Sequence, residues 1–240
     1  MRLNRDVTGW TEQLTNPFDY RVHSVVPVGF EAYTRILHPF DSRDSDHEIP
    51  WRDVATWSGR TVHRLAQSPA IATPASAYSP TTTAPFYSTN PMRGLPADQM
   101  RSLIPMLESE TSCDDVYAAV WSGYSTQQHY SVFEPFREVD QLLRCCFGEY
   151  LIFEGPLRLA ASFSDFVATS ANGHSVIQGA PNFLWPQDCA WIFGSAIDLP
   201  STYIGGSRLL ISGILNCEQL ESFPAVLTDL VSTDSDSINR

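Results

Sequence analysis

Residues 182–220 constrain the fold more than any other stretch, because they set two strands, a turn and a helix in immediate succession. Asn182-Phe183-Leu184-Trp185 reads as one strand, Pro186-Gln187-Asp188 as a turn, and Cys189 to Ile197 as a second strand. Along the second strand Trp191, Phe193, Ser195 and Ile197 share one face, and Ala190, Ile192, Gly194 and Ala196 share the other. That second face is small enough for a helix to lie close. Gly205-Gly206-Ser207 then opens a helix, with Ser207 as the natural N-cap. Arg208, Ser212, Asn216 and Gln219 cluster on one side of its wheel, and apolar residues from Leu209 to Leu220 fill most of the rest. So wide an apolar arc belongs to a deeply docked helix, which Pro224 stops.

Earlier segments supply further elements. Residues 22–37 look extended, with Pro27 marking an edge or a break and His38-Pro39 an end. Residues 41–48 form a charged loop. Pro50 starts a short helix through Trp51, Val54, Ala55 and Trp57 that Gly59 closes. Residues 68–92 carry five prolines among Ser, Thr and Ala, so a long Pro/Ser/Thr-rich internal loop is expected there, as a lid or a surface connection. Met100, Leu103, Ile104 and Leu107 recur at helical spacing from Pro96 onward, and Pro105 should kink or split that helix. Val116–Trp121 and Tyr150–Phe153 read as strands, 134–146 as a short helix, and Leu159, Ala160, Phe163 and Phe166 as the face of another helix after Gly155-Pro156. Ala171-Asn172-Gly173 signals a turn. Strands and helices mix without strict alternation. The expectation is one α+β domain over 1–228, an antiparallel or mixed sheet with helices packed against it. Residues 229–240, Ser-rich and acidic, should be a disordered tail.

The Trp-Pro-x-Asp-x-Ala-Trp block at 185–191, with Ile197-Asp198 and Ser201-Thr202-Tyr203-Ile204-Gly205-Gly206-Ser207, resembles a family of uncharacterised bacterial proteins from GC-rich genomes. Val26-Pro27-Val28-Gly29-Phe30-Glu31-Ala32-Tyr33 and Gly155-Pro156-Leu157 are similar to the same family; where that family often has Arg before Ala-Trp, this chain has Cys189. The resemblance implies a bacterial cytosolic protein and implies no reaction.

Among 240 residues none is lysine; all fifteen basic residues are arginine. That excludes Schiff-base chemistry, the phosphate-binding P-loop, the kinase strand lysine and Ser-x-x-Lys acylation. A GC-rich coding bias accounts for the exchange. The net charge of −12 disfavours nucleic acid, and no stretch concentrates arginine. Met1-Arg2-Leu3-Asn4-Arg5-Asp6 lacks the apolar core of a signal peptide, and no run of eighteen apolar residues suggests a membrane span. Cys113, Cys145, Cys146, Cys189 and Cys217 are odd in number and lack Cys-x-x-Cys spacing, which fits reduced thiols in a cytoplasm.

The best candidate site is Gly205, Gly206, Ser207 and Arg208. Free N–H groups and the helix dipole attract anions, glycine admits a ligand closely, and Arg208 offers a fork. The simpler reading is a serine-capped turn. Asp44, Asp46, His47 and Glu48 suit a divalent cation by donor type, yet lack the spacing of a calcium loop or a zincin, so no metal and no cofactor are expected. Asp188 and Asp198 flank the second strand too far apart for a glycosidase pair and suit turns. The histidines, His23, His38, His47, His63, His129 and His174, are scattered singly. Trp51, Trp57, Trp121, Trp185 and Trp191 are either core or pocket lining. The reading favoured is a cytosolic non-catalytic binding or interaction protein that meets a protein partner. The alternative is a small enzyme or sensor that binds an anionic metabolite at the Gly205–Arg208 helix start.

Overall fold

A computed structural model describes residues 7–14, 19–45, 47–91, 94–123, 136–145, 148–165, 167–169, 175–177 and 181–239. The strands are β1 (Ala32–Leu37), β2 (Phe40–Asp41), β3 (Glu48–Ile49), β4 (Asp115–Trp121), β5 (Arg137–Cys145), β6 (Gly148–Pro156), β7 (Val167–Thr169), β8 (Ser175–Ile177), β9 (Phe183–Pro186), β10 (Ile192–Gly194), β11 (Ser201–Gly206) and β12 (Ser222–Pro224). The α-helices are α1 (Trp51–Ser58), α2 (Ser68–Ile71), α3 (Ala97–Glu108) and α4 (Arg208–Leu215). Eight strands form one sheet in the order β12-β1-β11-β10-β9-β4-β6-β5, and every pairing in it is antiparallel. The α+β expectation therefore stands, with the sheet wholly antiparallel and helices packed on it.

Alternation along the strands divides the interior. On one face Ile36, Val116, Ala118, Leu184, Trp191, Phe193 and Ile204 meet α3 through Leu103, Ile104 and Leu107, and α4 through Leu210, Ile211 and Ile214. On the other face Tyr33, Tyr117, Tyr150, Phe183, Trp185, Ile192 and Tyr203 are covered by Trp10, Val22, Val25, Val26 and Val231. The sequence placed a helix against the small face of the second strand. The helices in fact lie against the Trp191 and Phe193 face. The small face takes the irregular segment before β1, and a Cβ on Gly194 would stand 2.9 Å from Val25 Cγ1 and 3.0 Å from its carbonyl oxygen. That strand is also shorter than expected: Cys189 sits in a left-handed turn conformation (φ 51°) and only Ile192–Gly194 pair.

A third cluster joins the end of β1 to α1 and the 66–86 region through Leu37, Phe40, Trp51, Val54, Ile71 and Phe86. The Pro-rich 68–92 stretch wraps this cluster instead of wandering free of it. It contains the single helical turn α2, and it buries Ser68, Ile71, Ala72 and Phe86. Arg35, 3% exposed, ties the cluster to the sheet: Nε donates to Ser201 Oγ at 2.8 Å, and one terminal nitrogen donates to the Arg64 and Ala66 carbonyls. Its guanidinium also lies 5.5 Å from the Trp51 ring centre, within cation–π reach.

Other expectations are corrected. Residues 137–145 form edge strand β5, not a helix: Val139 and Leu143 mimic helical spacing, but most of the strand faces solvent. After β6 the chain enters a 3-10 helix, Leu157–Asp165, and strand pairing runs through Gly155-Pro156. Pro105 does not split α3; it sits on the exposed side, where water can take the carbonyl its missing N–H leaves free. Helix α4 stops at Leu215, where Asn216 Nδ2 turns back to the Ser212 carbonyl at 2.9 Å. Leu209 is 77% exposed, so the helix is docked by one stripe only. Pro224 lies in β12 opposite Thr34, on an edge where no donor is missed. The charged loop at 41–48 is the turn of the β2–β3 hairpin.

The last dozen residues were expected to fray. Instead Asp229–Asn239 pack down, with Val231, Ser235, Asp236 and Asn239 buried. Asp236 accepts from the Gln67 and Asn239 backbone N–H groups at 3.1 and 2.9 Å, and its other contacts include His63 Nε2 at 3.0 Å. Thr61 and Asn239 exchange two further hydrogen bonds. Asp46, Cys146, His129, His174, Phe166 and the Ala171-Asn172-Gly173 turn lie outside the described residues.

Candidate functional site

Five separate segments, none of them a strand, converge on a cavity of about 270 Å³. The β10–β11 connection contributes Ile197 to Pro200, the start of the Pro-rich stretch contributes Gln67 to Pro69, and Val231 to Thr233 close one side, with Tyr20 and Asn90 completing the wall. Tyr20 (φ 51°) and Asp198 (φ 67°) are two of the three described non-glycine residues in left-handed backbone conformation. Aspartate tolerates that region; a bulky tyrosine rarely occupies it. The Tyr20 turn is held because its carbonyl accepts from Val231 N at 2.8 Å. Such strained positions cluster at ligand sites. The lining is apolar at Ile197, Leu199, Pro200 and Val231, polar at Ser68, Asn90, Ser232 and Thr233, and among the described residues its one carboxyl is that of Asp198.

The Gly205–Arg208 candidate sits elsewhere. Gly205 and Gly206 end β11 and are buried; a Cβ on Gly205 would meet Phe30 at 2.4 Å, and one on Gly206 would meet Leu210 at 2.7 Å. Ser207 caps α4, accepting from Leu210 N at 3.0 Å. Two carboxylates of the chain itself stand at this helix end. Glu31 accepts from Arg208 N at 3.1 Å, and Glu110 accepts from the Ser207 hydroxyl at 2.6 Å. The same device serves α1, where Glu221 accepts from the Trp51 and Arg52 N–H groups at 2.7 and 3.0 Å. Burial pushes the Glu221 carboxyl above its ordinary range, against the pull of those two bonds.

A buried polar cluster lies beside the core. His38 Nε2 is 2.9 Å from Thr202 Oγ1 and 3.4 Å from Ser195 Oγ. Its indole neighbour Trp51 donates to the His38 carbonyl at 2.6 Å. Burial lowers the His38 pKa to about 3, with Arg35 adding to the effect against the pull of the nearby Pro91 carbonyl, so the ring is neutral. The serine–histidine contact has the residue types of a nucleophile and a base. All three side chains are nonetheless at most 4% exposed, and none of them lines the cavity beside Tyr20.

Of the other candidates, Asp188 is a turn anchor. It accepts from Thr111 Oγ1 at 2.8 Å and Ala190 N at 3.1 Å; burial raises its carboxyl, but these bonds outweigh it and hold the pKa below normal. Among the described residues no cluster of three His, Cys, Asp or Glu could hold a metal ion, and Glu48 belongs to β3. Trp51, Trp185 and Trp191 are core residues, while Trp57 and Trp121 are half-buried. No described helix is long and apolar enough to cross a membrane. Comparison with family models, curated proteins and solved structures returns no match.

Nothing in the sequence marks Tyr20, Asn90 and Ser232 as a site: they come from three distant segments with no spacing pattern among them, and Asp198 reads there only as a turn residue.

Proposed function

We propose that the protein is a non-catalytic binding protein of the bacterial cytosol, taking a small organic ligand in the cavity beside Tyr20 and Asp198. The observation that supports this reading is the pair of left-handed, non-glycine residues on one cavity wall. Strain of this sort persists where surrounding structure enforces it, and it pre-forms a site before the ligand arrives. With Asp198 as the one carboxyl among its described lining residues, the wall suits neutral or positively charged molecules that combine an apolar body with hydrogen-bond donors. The Pro-rich stretch adds exposed Tyr78 and Tyr87 as a surface for a protein partner. An anionic metabolite at the Gly205–Arg208 end is the weaker reading, because it would have to displace Glu31 and Glu110.

A thermal-shift panel of small amines, neutral polyols, carboxylates, phosphates and divalent metals tests this. The expected result is a rise of several degrees with an amine or a polyol, abolished by Ser232→Phe, which fills the cavity, and kept in Arg208→Ala. A rise confined to anions and lost in Arg208→Ala would move the site to the helix end. A flat panel would leave the cavity without a ligand and sink the reading.

A further inference from the structure

A second cavity, of about 170 Å³, is lined by Val7, Gly9, Trp10, Tyr117, Trp185 and Gln187 together with Cys189. Three rings build it from separate elements: Trp10 from the 3-10 turn Gly9–Gln13, Tyr117 from β4 and Trp185 from β9. Trp10 and Trp185 meet edge to face at 5.5 Å between centroids, and Tyr117 tilts against Trp185 at 5.7 Å. The rings are 5%, 7% and 1% exposed, while Gly9 and Gln187 form an exposed rim.

The two indoles differ in one respect. Trp185 Nε1 donates to the Val7 carbonyl at 3.0 Å. Trp10 Nε1 is buried and has no acceptor among the described residues. A buried donor left unmade costs about 1–3 kcal/mol, so native structures seldom leave one without a reason.

We infer that this cavity binds a small uncharged ring compound that carries a hydrogen-bond acceptor. Its size matches such a ring: an apolar cavity of roughly 150 Å³ holds benzene. The walls are nearly as polar as they are apolar, so a bound ring has to displace water to reach the indole N–H. An organic cation would gain from the ring faces but would leave the indole N–H unpaired, and no carboxylate lines the space among the described residues. A ring bearing a carbonyl stacks on the aromatic walls and supplies the acceptor that the fold omits.

The test uses three probes of similar size on the intact protein with 15N-labelled tryptophan: acetophenone, which accepts; ethylbenzene, which does not; and benzylammonium, a ring with a positive charge. The Trp10 indole resonance is assigned by its disappearance in Trp10→Phe, a variant that keeps a ring in place and whose dispersed spectrum reports its fold. Acetophenone should shift the Trp10 indole proton downfield and saturably, at least ten-fold more tightly than ethylbenzene, and Trp10→Phe should erase that preference. Equal affinity for acetophenone and ethylbenzene, tighter binding of the cation, or a Trp10 resonance that contacts water and ignores all three probes would each overturn the inference.

Discussion

Buried His38 makes stability fall as soon as the medium turns mildly acid, and the size of that fall follows from its surroundings. The ring is 1% exposed, held by Thr202 and faced by the charge of Arg35, and burial lowers its pKa from 6.5 to about 3. The folded state thus keeps the ring neutral over the range in which the unfolded chain takes up a proton. Proton uptake by the unfolded chain favours unfolding. The contribution of His38 is therefore complete above pH 6.5, declines as pH falls below it, and is fully lost near pH 3, where the folded ring itself protonates. The slope is about 1.4 kcal/mol per pH unit, so between pH 6.5 and 4.5 the loss is roughly 2–3 kcal/mol. That is a large share of a typical stability of about 5–15 kcal/mol. The perturbation is His38→Gln, which retains a polar partner for Thr202 and cannot titrate. Urea denaturation of both proteins at pH 7.0, 6.0, 5.0 and 4.5 gives the difference curve, in which groups common to both cancel. The variant should be less stable at pH 7 by about 1–2 kcal/mol, from imperfect packing. It should then converge on, or overtake, the wild type by pH 4.5. Parallel curves across the range would refute the argument, because they would mean that His38 is as free to protonate in the folded protein as in the unfolded one.

Two further perturbations probe the cover of the sheet. Gly194→Ala places a methyl group against Val25 and its carbonyl, backbone that cannot swing aside; the expected loss is about 1–3 kcal/mol, seen as a lower melting temperature, and an unchanged value would show that the segment before β1 is not seated there. Asp236→Asn removes the carboxylate that collects donors from Gln67, Asn239 and His63. Burial raises that carboxyl, but these donors outweigh it and hold the pKa at about 2 against an ordinary 3.8. Its stabilisation is thus present above pH 3.8 and lost as pH falls toward 2. The variant should lose about 1–2 kcal/mol and exchange the amides of 231–239 faster, whereas unaltered protection there would show that the carboxylate does not hold the segment.

What the sequence discloses and what it conceals divide along a physical line. The β9–β10 hairpin is legible because Leu184, Trp191 and Phe193 point into one interior and Phe183, Trp185 and Ile192 into the other, so alternation is written in side-chain size. The Ser207 cap and the Gly59 stop are legible because each needs one residue type at one backbone geometry. Strand β5 is not: on a sheet edge only Leu143 is fully buried, so the alternation is weak and Val139–Leu143 spacing imitates a helix. The 229–239 segment is concealed for a different reason. Its order rests on a carboxylate gathering backbone N–H groups from Gln67 and Asn239, an arrangement that composition registers only as acidic and polar.

The same line explains why the favoured helix end and the observed cavity differ. Gly205-Gly206-Ser207 is a local signal, and local signals report what a helix start needs: here its demands are met by Ser207, Glu31 and Glu110. Glu221 does the same for α1. In a chain so rich in carboxylates, helix ends are where part of that negative charge is spent to advantage, and an anion must compete with groups already tethered in place at high effective concentration. Concave sites escape that competition because they arise between segments, as Tyr20, Asn90, Asp198 and Ser232 do. Ligand recognition in this fold is therefore to be sought where the irregular cover meets the sheet, at positions no periodicity could mark.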